Sequence, residues 1–108
     1  MKYRLALTER AQAHIAKAIE WYESDRLGRR DRFIRMLGVA IAILEKHLHV
    51  GAPAYHGLRC LPLRRFPYSL FYLVSGDRVE IRACIHQRRK PRERWRRRVR
   101  ETAVALDL

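Results

Sequence analysis

The sequence is short of negative charge. Eleven Asp and Glu stand against 24 Lys and Arg, a formal charge of +13 over 108 residues. That imbalance repels itself in a folded domain whose net stability is only about 5–15 kcal/mol, so the surface is best understood as meeting something acidic. Lysine is scarce as well: Lys2, Lys17, Lys46 and Lys90 are the only ones, and the other cations are arginines. The arginine fork grips phosphate or carboxylate in bidentate fashion, although a coding bias toward arginine would give the same ratio. Cysteine is nearly absent. Cys60 and Cys84 make no disulfide framework and no C-x-x-C ligand pair, so both read as reduced thiols, with no metal and no cofactor expected. Long apolar runs are missing too. None approaches a membrane span, and MKYRLALTER lacks the apolar stretch of a signal peptide, so the expectation is a cytoplasmic protein with no membrane partner.

What is present is ordinary globular material, 48% hydrophobic, enough for one domain with one modest core. Residues 1–100 read as that domain and 101–108 as a loose tail. Tyr3, Leu5 and Leu7 alternate with Lys2 and Arg4, which predicts a short strand. Thr8 suits a helix N-cap, and Ala11, Ile15, Ala18, Ile19 and Tyr22 carry a helix to about Asp25, closed by Leu27-Gly28. Phe33, Leu37, Ala40, Ile41, Leu44 and Leu48 form the stripe of a second helix from about Arg29 to Asp31 onward. Gly38 inside it costs about 1 kcal/mol unless a close approach uses the missing side chain. A loop from His49 to Gly57 precedes three strand-like runs, Leu58–Leu63, Ser69–Val74 and Arg78–His86, with Gly76-Asp77 turning between the last two. In the final run Val79, Ile81, Ala83 and Ile85 fall on one side. These are expected to face the helices, with Arg82, Cys84 and His86 turned outward. Pro91 can open a last helical turn anchored by Trp95 and Val99. The order is α+β: β-α-α-β-β-β with a short C-terminal helix, an antiparallel helical hairpin on one face of a small, mainly antiparallel sheet.

Several of these residues together carry a resemblance: Leu7-Thr8, Trp21-Tyr22, Phe33, Gly57-Leu58-Arg59, Arg65-Phe66-Pro67-Tyr68, Phe71-Tyr72, and His86-Gln87-Arg88-Arg89-Lys90-Pro91 with Trp95 and Arg98. In order and spacing the chain resembles the RelE/ParE toxin superfamily from about Tyr3 to Arg98, and its ParE branch most closely. That resemblance implies the toxin of a type II toxin–antitoxin pair, acting on DNA gyrase. It also implies a cognate antitoxin whose acidic C-terminal segment is disordered until bound. RelE-like relatives instead cut messenger RNA on the ribosome.

Metal-free RNA cleavage needs a proton acceptor, a proton donor and cations around one phosphate. His86 with Arg59, Arg65 and Arg88 could supply part of that set. A second proton carrier is lacking unless Glu80 and Tyr72 share a face, so no catalytic residue is expected. Arg59, Arg65, Tyr68, Arg82, His86, Arg88, Arg89 and Trp95 are the candidate contacts with target or antitoxin. A basic nucleic-acid-binding module is the third alternative, since the run Arg88 to Arg100 suits phosphate. Tyr68, Phe71 and Tyr72 read as sheet core or edge more readily than as a base-stacking platform, and His14, His47, His49 and His56 read as surface residues.

Overall fold

Thr8 ends the first strand and starts the first helix, and both roles are visible in its contacts. A computed structural model describes residues 4–87. β1 (Arg4–Leu7) leads through Thr8 into α1 (Glu9–Glu23), where the Thr8 side chain accepts the Ala11 N–H at 3.1 Å. Glu9 in the first turn complements the positive end of the helix dipole. Gly28 turns the chain at φ 66°, a left-handed geometry that glycine adopts without strain, into α2 (Arg29–Lys46). The connection is braced by Arg29, which pairs with Asp25 at 2.6 Å. Leu48, placed on the helical stripe, is buried but lies beyond the end of α2.

The loop between His49 and Gly57 holds more order than expected: a two-residue edge strand β2 (Ala52–Pro53) and a 3-10 turn (Tyr55–Gly57). β3 (Arg59–Pro62), β4 (Tyr68–Ser75) and β5 (Arg78–His86) follow. The five strands lie in the order β1-β5-β4-β3-β2, antiparallel except that β1 runs parallel to β5. Two helices on one face of a five-stranded mixed sheet make the α+β architecture the sequence pattern implied.

The main core lies between hairpin and sheet. Ala11, Ile15, Ala18 and Tyr22 from α1 and Phe33, Leu37, Ala40 and Leu44 from α2 close on Leu70, Tyr72, Val79 and Ile81. At one end Tyr22, Phe33, Phe66 and Tyr68 form an aromatic cluster with ring centroids 5.2–6.3 Å apart. Residues far apart in the sequence thus meet at a single point. Tilted and edge-on rings at such spacing add about 0.5–1.5 kcal/mol per pair beyond area burial. At the other end Arg59 Nη1 donates to the carbonyls of Gly51 (2.7 Å) and His49 (3.3 Å), and the Gly51 N–H donates to the Tyr72 hydroxyl at 2.8 Å.

β5 departs from the expected alternation. Phe71 faces Ala83 but Tyr72 faces Ile81, so Arg82 is an extra residue, a β-bulge. The bulge reverses the phase of everything after it. Val79 and Ile81 face the helices as expected, but so do Cys84 and His86, while Ala83 and Ile85 join Leu58 and Phe71 in a second apolar cluster on the opposite face. Thr8 meets the distorted strand: its N–H donates to the Ile81 carbonyl at 3.0 Å and its hydroxyl to that of Arg82 at 3.4 Å. The helix cap and the bulge are therefore one local unit.

Candidate functional site

A groove runs where β5 outlasts β1. β1 pairs only with Arg78 to Ile81, so the second half of β5 extends past its neighbour, beneath α1. The space between is lined by His14, Lys17, Trp21, Tyr68, Cys84 and His86, with a cavity of about 640 Å³. Its wall on α1 follows from helical spacing, since His14, Lys17 and Trp21 stand at i, i+3 and i+7 on one face. Trp21 is 58% exposed although it is the largest side chain there. The floor is set by the bulge, which turns Cys84 and His86 inward. His86 packs edge-on against Tyr68 at 4.9 Å.

The chemistry of the groove is that of recognition. His14 Nδ1 accepts the Cys84 N–H at 3.2 Å. An imidazole accepting at one nitrogen carries its proton on the other, so the basic nitrogen of His14 is committed to the backbone. Burial pushes the Cys84 thiol up to about 12, which leaves it neutral and a poor nucleophile. What the groove offers a partner is an exposed indole, the edge of an imidazole and a lysine, with Glu20 at the rim.

The expected contact residues divide. Tyr68 and His86 line the groove, although Tyr68 is buried and doubles as core. Arg65 is exposed at the same end of the sheet, in the turn closed by the Leu63 N–H to Tyr68 carbonyl bond, and holds a left-handed φ of 67°. That geometry is strained for a side chain with a Cβ. Arg59 lies elsewhere. It pairs with Tyr72 while His86 pairs with Tyr68, which puts roughly 16 Å between their Cα positions. Its guanidinium holds the His49–Gly51 loop, a structural task.

Arg82 takes the outward face expected of it but is not exposed there. Its side chain is on the face away from the helices but only 6% exposed, and it pairs with Glu80 at 2.8 Å. Cys84 and His86, expected on that same face, sit on the helix side because of the bulge. Glu80 and Tyr72, which would have needed a common face, take opposite ones: Tyr72 lies in the helix-side core, and Glu80 is opposite Leu73 on the other face. Arg88, Arg89 and Trp95 lie outside the described residues, as do the basic run, the C-terminal helical turn and the tail. His14, expected on the surface, is half-buried in the groove. The signal that could have found it is its shared helical face with Lys17 and Trp21.

Among the described residues no group of three or more His, Cys, Asp or Glu is placed to hold a metal ion, and no helix is long and apolar enough to cross a membrane. No curated protein matches the sequence. A solved structure described as the chromosomal ParDE TA system from P. aeruginosa is similar in fold. Its TM-score is 0.69 at 20% identity, covering 78% of this chain and 95% of that one. The family model for the ParE toxin of the type II toxin–antitoxin system parDE matches residues 5–91. That match takes in both helices, the whole sheet and the groove, and the chain belongs to the ParE toxin family.

Proposed function

We propose that this toxin poisons DNA gyrase and so blocks replication. A cognate antitoxin with an acidic, initially disordered C-terminal segment would neutralise it. Membership of the ParE family supports the toxin role. The observation that carries the choice of target is that the proton carriers and cations RNA cleavage would need do not come together. Arg59 is spent on loop carbonyls roughly 16 Å from His86, and the basic nitrogen of His14 is spent on Cys84. A protein that acts by seating itself on a larger enzyme needs a shaped, amphipathic surface and no such pair. The groove beside α1 supplies that surface, and Trp21 is its natural anchor, since exposed tryptophans dominate binding energies where they become buried. An acidic segment would find Lys17 and Arg65 near the same end of the molecule, and matched charge would offset part of the cost of ordering it.

Metal-free cleavage of messenger RNA is the second reading, because two imidazoles, His14 and His86, share the groove. One experiment separates the two. Inducing the chain without its antitoxin is expected to arrest growth with a DNA-damage response, and the purified chain to inhibit supercoiling while cleaved DNA accumulates. Trp21→Ala should weaken both effects. Arrest with cleaved messenger RNA and no DNA-damage response, abolished by His86→Ala, would replace gyrase with RNA as the target.

A further inference from the structure

The turn between β3 and β4 carries an arginine where a glycine would fit without strain. Arg65 holds a left-handed φ of 67°, a region that burdens any side chain with a Cβ. Arg64 and Arg65 are both exposed, and neither forms an ion pair with a described residue. Backbone strain is kept where the side chain does something that glycine cannot. Here that side chain is an exposed, unmatched guanidinium.

The most basic stretch of the sequence starts beside the same turn. Gln87 is tied to this end of β4 twice: its N–H donates to the Pro67 carbonyl at 2.8 Å, and its side-chain amide donates to the Ser69 hydroxyl. Arg88 follows by one peptide bond, and from Arg88 to Arg100 the sequence has nine Lys and Arg against one acid, Glu93. The cations on the neighbouring helical connection are already matched, Arg29 by Asp25 and Arg30 by Glu23 and Asp31. Unmatched positive charge at this end of the molecule therefore belongs to the turn and to the run that begins next to it.

The chemistry of the patch selects its partner. An acidic peptide needs apolar anchors as well as charge to offset the cost of becoming ordered. Around Arg64 and Arg65 the apolar side chains are turned inward: Leu63 is buried, and Phe66 packs on Tyr22 and Phe33. A single strand of nucleic acid is held by bases stacked on exposed aromatic rings. Tyr22, Phe33 and Tyr68 are all buried, so this end offers no such platform. A cluster of fork-shaped cations without apolar or aromatic company suits the phosphates of a duplex. They present one charge per roughly 1.7 Å of helix axis and bind through counterion release, with no base read.

We propose that the β3–β4 turn, with the basic run that follows Gln87, binds the phosphate backbone of duplex DNA whatever its base sequence. The toxin would then hold DNA directly, in addition to any enzyme that carries it, and the groove beside α1 remains for a protein partner. This contact needs no gyrase, so it stands or falls apart from that reading.

Fluorescence anisotropy of a labelled duplex of about 20 base pairs, titrated with the full chain in the absence of gyrase and antitoxin, tests this. Affinity is expected to fall steeply with salt and to ignore base sequence. Arg64→Gln combined with Arg65→Gly should lower affinity roughly tenfold and reduce the slope of log K against log salt by about 1.8. Arg65→Gly alone should keep the urea midpoint of the parent or raise it, since glycine holds a φ of 67° without strain. Loss of binding is then not loss of fold. Arg4→Gln combined with Arg78→Gln removes as much charge from the far end of β5, roughly 26 Å from His86 and beyond the Debye length of about 8 Å, and should leave the slope unchanged. No duplex binding, or equal losses in the two double variants, overturns the proposal. So does tighter binding to polyglutamate or to single-stranded RNA than to the duplex, or an Arg65→Gly chain that loses stability and keeps its affinity.

Discussion

Thr8→Ala is the substitution that tests most directly how this fold builds its groove. The Thr8 hydroxyl accepts the Ala11 N–H at 3.1 Å and reaches the Arg82 carbonyl at 3.4 Å. Losing an N-cap costs about 1 kcal/mol, within a range of roughly 0.5–2. The bond to Arg82 is at the outer limit of length, so its share falls at the lower end of the roughly 0.5–1.5 kcal/mol typical of a net hydrogen bond. Together they predict a loss of about 1.5–2 kcal/mol, or roughly 6–15 °C in Tm for a domain of this size. Urea denaturation followed by circular dichroism gives the free energy, with an unchanged m-value showing that the unfolded state is not the cause. Two companion variants divide the effect. Thr8→Ser keeps both bonds and should stay within about 0.5 kcal/mol of the parent. Thr8→Asp caps the helix as well, and suits its dipole, but cannot donate to the Arg82 carbonyl. A Thr8→Ala chain as stable as the parent, or a Thr8→Ser chain as unstable as Thr8→Ala, would refute the coupling of cap to bulge.

Other perturbations probe the rest of the fold. Tyr72→Phe removes the acceptor of the buried Gly51 N–H and should cost about 1–3 kcal/mol by the same denaturation assay. Gly51→Ala would drive a Cβ to 2.7 Å from the Tyr72 oxygen and 2.8 Å from the Cys60 carbonyl. It should cost a similar amount, about 1–3 kcal/mol, and the double variant should be less than additive. Gly38→Ala, which meets nothing within 4 Å, should instead raise stability by about 1 kcal/mol. The pH dependence has a definite sign. Burial holds the Cys84 thiol at about 12 against an ordinary 9.0, so folding favours its neutral form. That contribution is complete below about pH 9 and is lost as pH rises toward 12, and buried Tyr72 acts in the same direction. Urea midpoints should therefore fall through this window, and Cys84→Ala should flatten the fall.

Much of the architecture is local enough to be written in the sequence. Thr8 as N-cap, the apolar stripes of α1 and α2, the Gly28 turn and the Gly76-Asp77 hairpin all depend on neighbours within a few residues, and all are where pattern and spacing put them. The family was legible too, because Tyr22, Phe33, Phe66 and Tyr68 must be aromatic to fill one shared cluster. The face of β5 was not. Val79, Ile81, Ala83 and Ile85 alternate without a break, so nothing in that run announces an extra residue at Arg82. A period-two pattern fixes which residues share a side only while the register holds, and register is set by pairing with β4. One inserted residue exchanged the two faces and buried Arg82 against Glu80. It turned His86 onto the helix side against Tyr68, into the groove where α1 had already placed His14, Lys17 and Trp21. Local pattern was enough for the elements, the charge and the family. Which side chains meet was left to strand pairing, because a bulge is a property of two strands and cannot be read from one.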